Sequence, residues 1–528
     1  MPRTSAEPRV RLYHAVARPI GSVMLGLGGA MLLCSATTPL WNLLEGGARP
    51  QDAGGAFGLI LSGAISMLLG FGLRRLGRKA ADVPLGRREA ILVVALIWVA
   101  IGIFGGLPYV LDAGMTPDDA FFEAVSGFTT TGATVIGQIE ATISRPLLLW
   151  RALTQWLGGM GIVVLFVAIF PNIGVGGKHL YRSEVPGPVA GGLRPRIAET
   201  STLLWRIYAV FTLVQILLLM LFGMSLFESI CHAFTTMSTG GFSTLDSSVG
   251  GFDAARVGWW NSLGIEWTIV VFMLVAGVNF SLYYGVIRYR NLKGFLRSTE
   301  FRIYIWLIVG STLTLWLALV FAADTWSQAF DPAYGFQMFR DALFMVATTI
   351  TSTGYGTSGY THFPPIAMAV MLLLMFVGGC AGSTAGGIKV SRIVLLFKLS
   401  WGQLRRSFRP QVVHIVRMGK EPVDSSVILD VAAFFLIFMV TMAAGVMLIT
   451  LTEGVSVPTA FGAMLTAVSN MGPGPFHNLG LEGYIESPVD NFAGYSWFAK
   501  IVFSLTMILG RLEFFTLLAL LLPDFWRR

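Results

Sequence analysis

Ten apolar runs, each long enough to cross a hydrocarbon layer of ~30 Å at ~1.5 Å of helical rise per residue, recur along this chain. They lie near 17–39, 56–73, 90–111, 147–170, 203–223, 259–286, 301–322, 364–396, 427–451 and 497–522. No other feature limits the fold as tightly. A bilayer core offers no water to an unmade backbone hydrogen bond, so a spanning segment is a helix or a strand of a closed barrel, and runs of this length are helices. The predicted class is an all-α polytopic membrane protein. Composition agrees: 12% of the residues are charged, against about 25% in a soluble domain. Three cysteines, Cys34, Cys231 and Cys380, are too few and too scattered for a disulfide framework or a metal site.

Ten spans put both termini on one side. The N-terminus, the loops near 74–89, 171–206, 287–302 and 389–420, and the C-terminus hold 4, 6, 5, 5, 8 and 2 Lys and Arg, while the opposite loops hold only Arg49, Arg145, Arg256 and Arg340. The positive-inside rule then makes both termini cytoplasmic. The net charge of +8 belongs to those cytoplasmic loops, so nucleic acid is not an expected partner, whereas lipid headgroups are. The opposite loops carry 17 of the 29 Asp and Glu, an acidic mouth that attracts cations.

Four segments on the acidic side are too apolar for loops and too short for spans: roughly 118–130, 226–238, 341–351 and 457–469. Each runs into Gly-Thr-rich sequence: "TTTGATVIG", "TMSTGGFST", "TSTGYGTSG" and "SNMGPGPFH". Aligned on Gly132, Gly240, Gly354 and Gly472, they recur at intervals of 108, 114 and 118 residues. Each unit reads as span, short helix, glycine turn, span. The expected organisation is an N-terminal pair of spans over residues 1–86, followed by pore repeats over 87–177, 178–292, 293–405 and 406–528. The four pseudo-symmetric repeats then surround a central cation pore. Asp119 and Asp341, both thirteen residues before a glycine, read as N-caps of their short helices.

A short helix that dips in and stops at a glycine points its negative dipole end at the pseudo-fourfold axis. Its turn exposes carbonyls there, and a ring of such oxygens replaces the water around a dehydrated cation. The predicted filter comprises Thr130, Thr131, Gly132, Ser238, Thr239, Gly240, Ser352, Thr353, Gly354, Asn470, Met471 and Gly472. The expected ligands of K+ are the carbonyls of Thr131, Gly132, Thr239, Gly240, Thr353, Gly354, Met471 and Gly472, with hydroxyls of Thr131, Thr239 and Thr353 adding to them. Met471 in place of Thr, with Pro473 and Pro475 after it, leaves at most three hydroxyls and a filter less selective than a true fourfold one. "STGYG" at 352–356 is close to the "TVGYG" of potassium channels.

Those four turns, with "WLGGMGIVVL" (156–165) and "GGCAGSTAGGIKVSRI" (378–393), resemble the TrkH/KtrB/HKT superfamily of potassium-translocating membrane subunits over nearly the whole chain. The two extra N-terminal spans resemble its TrkH branch. The resemblance implies K+ uptake at the plasma membrane, the inner membrane of a bacterium, a homodimer and a cytoplasmic nucleotide-binding regulatory subunit, with no cofactor on this chain beyond K+ in the pore. The basic segment 389–420 is the largest platform on which such a subunit would dock.

A second polar island, "GGCAGSTAGG" at 378–387, breaks the span 364–396. Five glycines in ten residues make a poor helix. The stretch reads as a plug below the filter and matches the intramembrane gate loop of the similar family. Its expected gate residues are Gly378, Gly379, Gly382, Ser383, Thr384, Gly386 and Gly387, together with Arg511. Arg511 sits mid-span in "TMILGRLEFFTLL". An unpaired Arg at the bilayer centre costs at least ~2.5 kcal/mol, so it is expected to face protein or pore, near Glu513 or loop carbonyls, and to act as an electrostatic barrier. Glu266 reads as a hydrogen-bonded acid near the acidic side, and His232 as a packing or hydrogen-bonding residue on its short helix.

An enzyme is disfavoured. "GTSG" (356–359) fits the motif of intramembrane serine proteases, but the downstream His362, His414 and His477 all fall in loops; HExxH is absent, and "GVGGKHL" (174–180) has the wrong spacing for a nucleotide loop. The alternative transport mechanism is a Na+- or H+-coupled K+ symporter with alternating access, which calls for inverted repeats. Here all four repeats run in the same sense.

Overall fold

A computed structural model describes residues 7–527 apart from 45–46, 48, 81–85, 169–192, 291–292, 323–324, 326–327, 329–330, 358–362, 412–414, 420 and 473–490. Two long helices, α1 (Glu7–Ala36) and α2 (Pro50–Leu76), pack side by side ahead of the rest. The remaining chain repeats one pattern four times. The first unit is α3 (Arg87–Leu111), short α4 (Pro117–Phe128) and α5 (Arg145–Ala168); the second is α6 (Leu193–Leu221), short α7 (Leu226–Met237) and α8 (Trp259–Ala276) with α9 (Phe280–Tyr289). The third is α10 (Thr299–Phe321), α11 (Pro332–Ile350), α12 (Pro365–Phe376) and α13 (Val390–Phe408). The fourth is α14 (Ser425–Glu453), short α15 (Val457–Ser469), α16 (Trp497–Arg511) and α17 (Phe515–Leu518). Seven of these helices are each long and apolar enough to cross a membrane alone, and the chain is a multi-pass membrane protein.

The short helices start where local chemistry starts them. Ser225 accepts from the Glu228 N–H at 3.2 Å while Glu228 reaches back to the Ser225 N–H, a capping box. Ser456 and Asp331 cap α15 and α11 through the N–H groups of Thr459 and Ala333, and proline stands in the first turn of α4, α11 and α15. Two expectations need correction here. α11 begins at Pro332, so Asp341 lies in its middle and Asp331 is the cap; Asp119 lies one turn inside α4, after the N-cap Thr116, and pairs with Lys500 at 2.6 Å.

Two of the expected spans are not continuous. The run 259–286 breaks between Ala276 and Phe280, where Asn279 caps α9 by accepting from the Ser281 N–H at 2.8 Å. The run 497–522 stops at Arg511 and turns through 109°. Arg511 is therefore the last residue of a helix, not the middle of one. The run 364–396 breaks, as expected, over the glycine-rich island.

Each short helix is buried on nearly every face, so its polar end is held inside protein. The N-terminal pair is fastened to the first unit through a buried ion pair between Asp52 on α2 and Arg145 at 3.1 Å. Glu266 pairs with Arg340 at 2.5 Å, joining α8 to α11.

Candidate functional site

Each short helix ends in the same three-residue device. First comes a residue in the left-handed region: Thr130 (φ 53°), Thr239 (54°), Ser352 (55°) and Asn470 (50°). The next residue sends its N–H back five positions into the helix: Thr131 to Ser126 at 2.9 Å, Gly240 to Thr235 at 2.9 Å, Thr353 to Thr348 at 2.8 Å, Met471 to Thr466 at 3.2 Å. This is the closure of a helix C-terminus, and it satisfies a carbonyl that the helix leaves open. A glycine follows, left-handed at Gly132 (78°), Gly241 (78°) and Gly354 (84°) but not at Gly472. The register of the second turn thus differs from the sequence alignment by one residue. Gly241, not Gly240, corresponds to Gly132, and Gly240 occupies the place of Thr131, Thr353 and Met471. Consecutive glycines hid the slip, because only backbone conformation tells them apart. Ser238 accordingly belongs to the end of α7, and Thr239 takes the place of Thr130.

The four turns meet one another. A Cβ placed on Gly132 would lie 2.0 Å from the Gly240 carbonyl oxygen, and one on Gly241 would lie 1.8 Å from that of Thr353. One on Gly354 would lie 2.8 Å from the Gly472 Cα, and one on Gly472 would lie 3.3 Å from the Thr131 carbonyl oxygen. Turn one touches two, two touches three, three touches four, and four touches one. The ring is closed, its backbone is at van der Waals distance throughout, and four helix C-termini face it. Polar sequence in an apolar chain is explained by this packing: every one of these residues is buried in protein.

Side chains around the ring act as braces. The Thr131 hydroxyl lies 2.7 Å from that of Thr129 and accepts from Asn470 Nδ2 at 3.0 Å; the Thr353 hydroxyl lies 2.7 Å from that of Thr351. Two threonines, Thr131 and Thr353, occupy this level, and both hydroxyls bond protein; Thr239, the expected third, stands one position earlier in its turn. Gln155 on α5 donates from Nε2 to the Gly240 carbonyl at 2.8 Å and accepts from the Phe242 N–H at 3.1 Å. One turn earlier on the same helix, Arg151 bonds Glu123 at 2.7 Å and the Ser243 carbonyl at 3.0 Å, with its guanidinium 3.5 Å from the centre of the Phe242 ring. Glu123 in turn accepts from the Thr134 hydroxyl and the Val135 N–H. Tyr355, just after turn three, places its hydroxyl 2.5 Å from Thr235 on α7. His232 lies 3.1 Å from the Ser243 hydroxyl, a hydrogen-bonding role as expected. Gln155, Arg151, Glu123, Gly241 and Tyr355 were not among the expected site residues. Their signal was present for the first two, which are polar and four apart on an apolar span. Pro473 and Pro475, and the second half of the "GTSG" motif (358–359), lie outside the described residues.

The glycine-rich loop crosses directly beneath the ring. The Gly386 N–H donates to the Ser352 hydroxyl at 2.6 Å and the Gly387 N–H to the Ser469 carbonyl at 2.8 Å. The loop folds back on itself, with Val377 bridging Ile388 and the Gly378 N–H reaching the Ile388 carbonyl at 3.0 Å. It docks on the break in the second unit: the Cys380 N–H bonds the Gly277 carbonyl at 2.9 Å, the Phe280 N–H bonds the Gly382 carbonyl at 3.1 Å, and Thr384 donates to the Met237 and Ala276 carbonyls. Ser383 donates within the loop, to the Cys380 carbonyl at 2.7 Å. A Cβ on Gly379 would lie 2.7 Å from the Gly277 carbonyl oxygen, so two broken spans fit against each other. The loop and the first turn of α13 are tied to one buried carboxylate, Glu300, by the N–H groups of Ala381 at 2.7 Å and Ser391 at 3.0 Å. Arg511 is buried and donates to the Thr384 carbonyl at 3.0 Å and the Gly158 carbonyl at 3.4 Å. It reaches the loop carbonyls as expected. Glu513 is instead paired with Arg392 at 2.5 Å, whose guanidinium also covers the Phe434 ring.

The family profile TrkH, described as a cation transport protein, matches residues 59–525. The Trk system potassium uptake protein TrkH of Salmonella typhimurium is 36% identical over 528 residues, covering 98% of this chain and 99% of that one. The Trk system potassium uptake protein TrkG of Escherichia coli is 32% identical, covering 85% of this chain and 87% of its own. The crystal structure of the potassium transporter TrkH from Vibrio parahaemolyticus matches with a TM-score of 0.83 at 31% identity, covering 98% of this chain and 100% of that one.

Proposed function

This chain belongs to the TrkH family of cation transport proteins, and from that premise we propose that K+ crosses it through the ring of four turns. It is a potassium-translocating membrane subunit of a K+ uptake system, not an enzyme. The observation that carries the finer reading is the closure of the ring, in which each glycine gives up its Cβ position to the backbone of the next turn. The carbonyls of Thr131, Gly132, Gly240, Gly241, Thr353, Gly354, Met471 and Gly472 supply the oxygen cage, with Gly241 replacing Thr239 in the list drawn from sequence. The helix C-termini behind them hold a partial negative charge against the cation. Repeats that run in one sense favour a pore over alternating access. The loop 378–387 with Arg511 is the gate. The excess of Lys and Arg on one side supports both termini being cytoplasmic, and the bacterial relatives support an inner-membrane location. The basic segment 389–420 receives a separate nucleotide-binding subunit, and the working unit is a homodimer.

Flux of ⁸⁶Rb+ and ²²Na+ into liposomes holding this chain alone tests the filter. Gly132→Ser places a Cβ against the Gly240 carbonyl and is expected to lower the preference for Rb+ over Na+. An unchanged ratio in folded protein removes the first turn from the filter.

A further inference from the structure

Gly240 and Gly241 are glycines for different reasons, and the difference points to a residue of the transport machinery on another helix. Gly241 is left-handed at φ 78°, a conformation that a side chain resists. Gly240 is not left-handed; its counterparts in turns one and three are threonines with ordinary backbones. What Gly240 lacks is room. A Cβ there would lie 2.3 Å from Gln155 Cδ and 2.4 Å from its Oε1. The glutamine amide fills the space that a threonine side chain fills in the neighbouring turns.

It also takes over the bracing. In turns one and three the residue before the glycine anchors its turn through paired hydroxyls. In turn two Gln155 accepts from the Phe242 N–H and donates to the Gly240 carbonyl, straddling Gly241. The Phe242 N–H can only donate, so it fixes Oε1 on its side and leaves Nε2 for the Gly240 oxygen. That side chain is fully buried, and among its described contacts both polar ends are satisfied within the ring. A carbonyl has two lone pairs, and at Gly240 one of them is spent on Gln155.

We propose that Gln155 is a positioning residue that sets K+/Na+ selectivity, by substituting for the missing threonine of the second turn and fixing the direction of the Gly240 carbonyl. The inference rests on the ring being the ion filter. Its chemistry predicts a trade between two sites on different helices. Gln155→Glu keeps the size but replaces the donor with an oxygen that repels the carbonyl. Gln155→Ala removes the brace. Gln155→Ala with Gly240→Thr empties the space and refills it as in turns one and three.

The test is the ⁸⁶Rb+/²²Na+ flux ratio of the full chain in liposomes, normalised to monodisperse folded protein. Gln155→Glu and Gln155→Ala are expected to lower the ratio about tenfold, the scale of one lost buried hydrogen bond, and the Gln155→Ala/Gly240→Thr pair is expected to return it to within about twofold of the original. A wild-type ratio in both single variants, with Gly132→Ser still lowering it, leaves the ring as filter and overturns the role of Gln155. A wild-type ratio in all three removes the ring reading and this inference together. Should Gln155→Glu fail to fold, the comparison of Gln155→Ala with the pair decides: no recovery in the pair overturns the substitution.

Discussion

Arg511→Ala is expected to open the pathway. The guanidinium does two things that the substitution removes. It donates to the Thr384 carbonyl at 3.0 Å, which helps hold the loop across the axis. A hydrogen bond from a charged donor contributes ~1.5–3 kcal/mol, so its loss shifts the balance between crossed and withdrawn loop by roughly ten- to a hundred-and-fifty-fold. It also carries a positive charge that no carboxylate among the described residues pairs with, since Glu513 is paired with Arg392. At an effective dielectric of ~20, two unit charges ~6 Å apart repel by roughly 3 kcal/mol, a slowing of about a hundredfold for a passing cation. The second figure is an upper bound, because Lys389 stays behind with its ammonium on the Ala385 carbonyl. Flux per folded molecule should therefore rise by about ten- to a hundredfold in Arg511→Ala, and should rise also when Ala381 to Ala385 are removed. The Rb+/Na+ ratio should not change, because Arg511 bonds the glycine-rich loop and not the ring of turns proposed as the filter. Arg511→Gln keeps a donor but not the charge, and a rise smaller than that of Arg511→Ala would show both contributions at work. The assay is liposome flux normalised to monodisperse protein. Flux at or below wild type in both Arg511→Ala and the shortened loop would refute the gate, and loss of folded protein in Arg511→Ala alone would make the residue a structural clamp.

Two further outcomes are expected. Arg151→Ala strands the fully buried Glu123 carboxylate and frees the Ser243 carbonyl, so the folded chain should lose ~3–5 kcal/mol; thermal unfolding in detergent checks it, and adding Glu123→Ala should recover part of the loss. The purified chain should bind neither ATP nor NADH with micromolar affinity, which calorimetry measures; binding at that strength would place the nucleotide site on this subunit instead of on a partner.

The spans and the short helices were legible because both rest on strong local terms. Apolar run length and backbone satisfaction in lipid permit only one outcome for α10 or α14. The start of α11 was legible as well, in Asp331 followed by Pro332, although the apolar segment alone suggested a later start. The breaks were harder. Gly277 and Asn279 interrupt an apolar run with two residues, too weak a signal by itself, and the break is stabilised by the loop of another unit through the Gly277 and Gly382 carbonyls. A contact more than a hundred residues away in sequence leaves no local trace. The same holds for Arg511: its position was visible, but the 109° bend that ends its helix was not.

The ring shows how far a repeat in sequence goes toward a repeat in structure. The backbone device recurs four times with left-handed φ angles within 5° of each other. Three of those residues are Thr or Ser, types that pay ~1–2 kcal/mol for that conformation, so the strain is offset by fixed contacts rather than avoided by glycine. Those contacts are repeated only between turns one and three. At the next position the four turns carry Thr131, Gly240, Thr353 and Met471, and the braces are a threonine pair, the amide of Gln155, a second threonine pair and, through Asn470, a bond to the Met507 carbonyl at 2.8 Å. Three different solutions hold one backbone path, the threonine pair serving turns one and three. A single chain can afford this where four identical subunits cannot, since each turn mutates alone. Carbonyl direction in such a ring is therefore set turn by turn from behind. Turn two is braced by a side chain of α5, Gln155, and turn four by its own Asn470 against the α16 backbone, so substitution at Gln155 or Asn470 should alter the Rb+/Na+ flux ratio through turns two and four respectively.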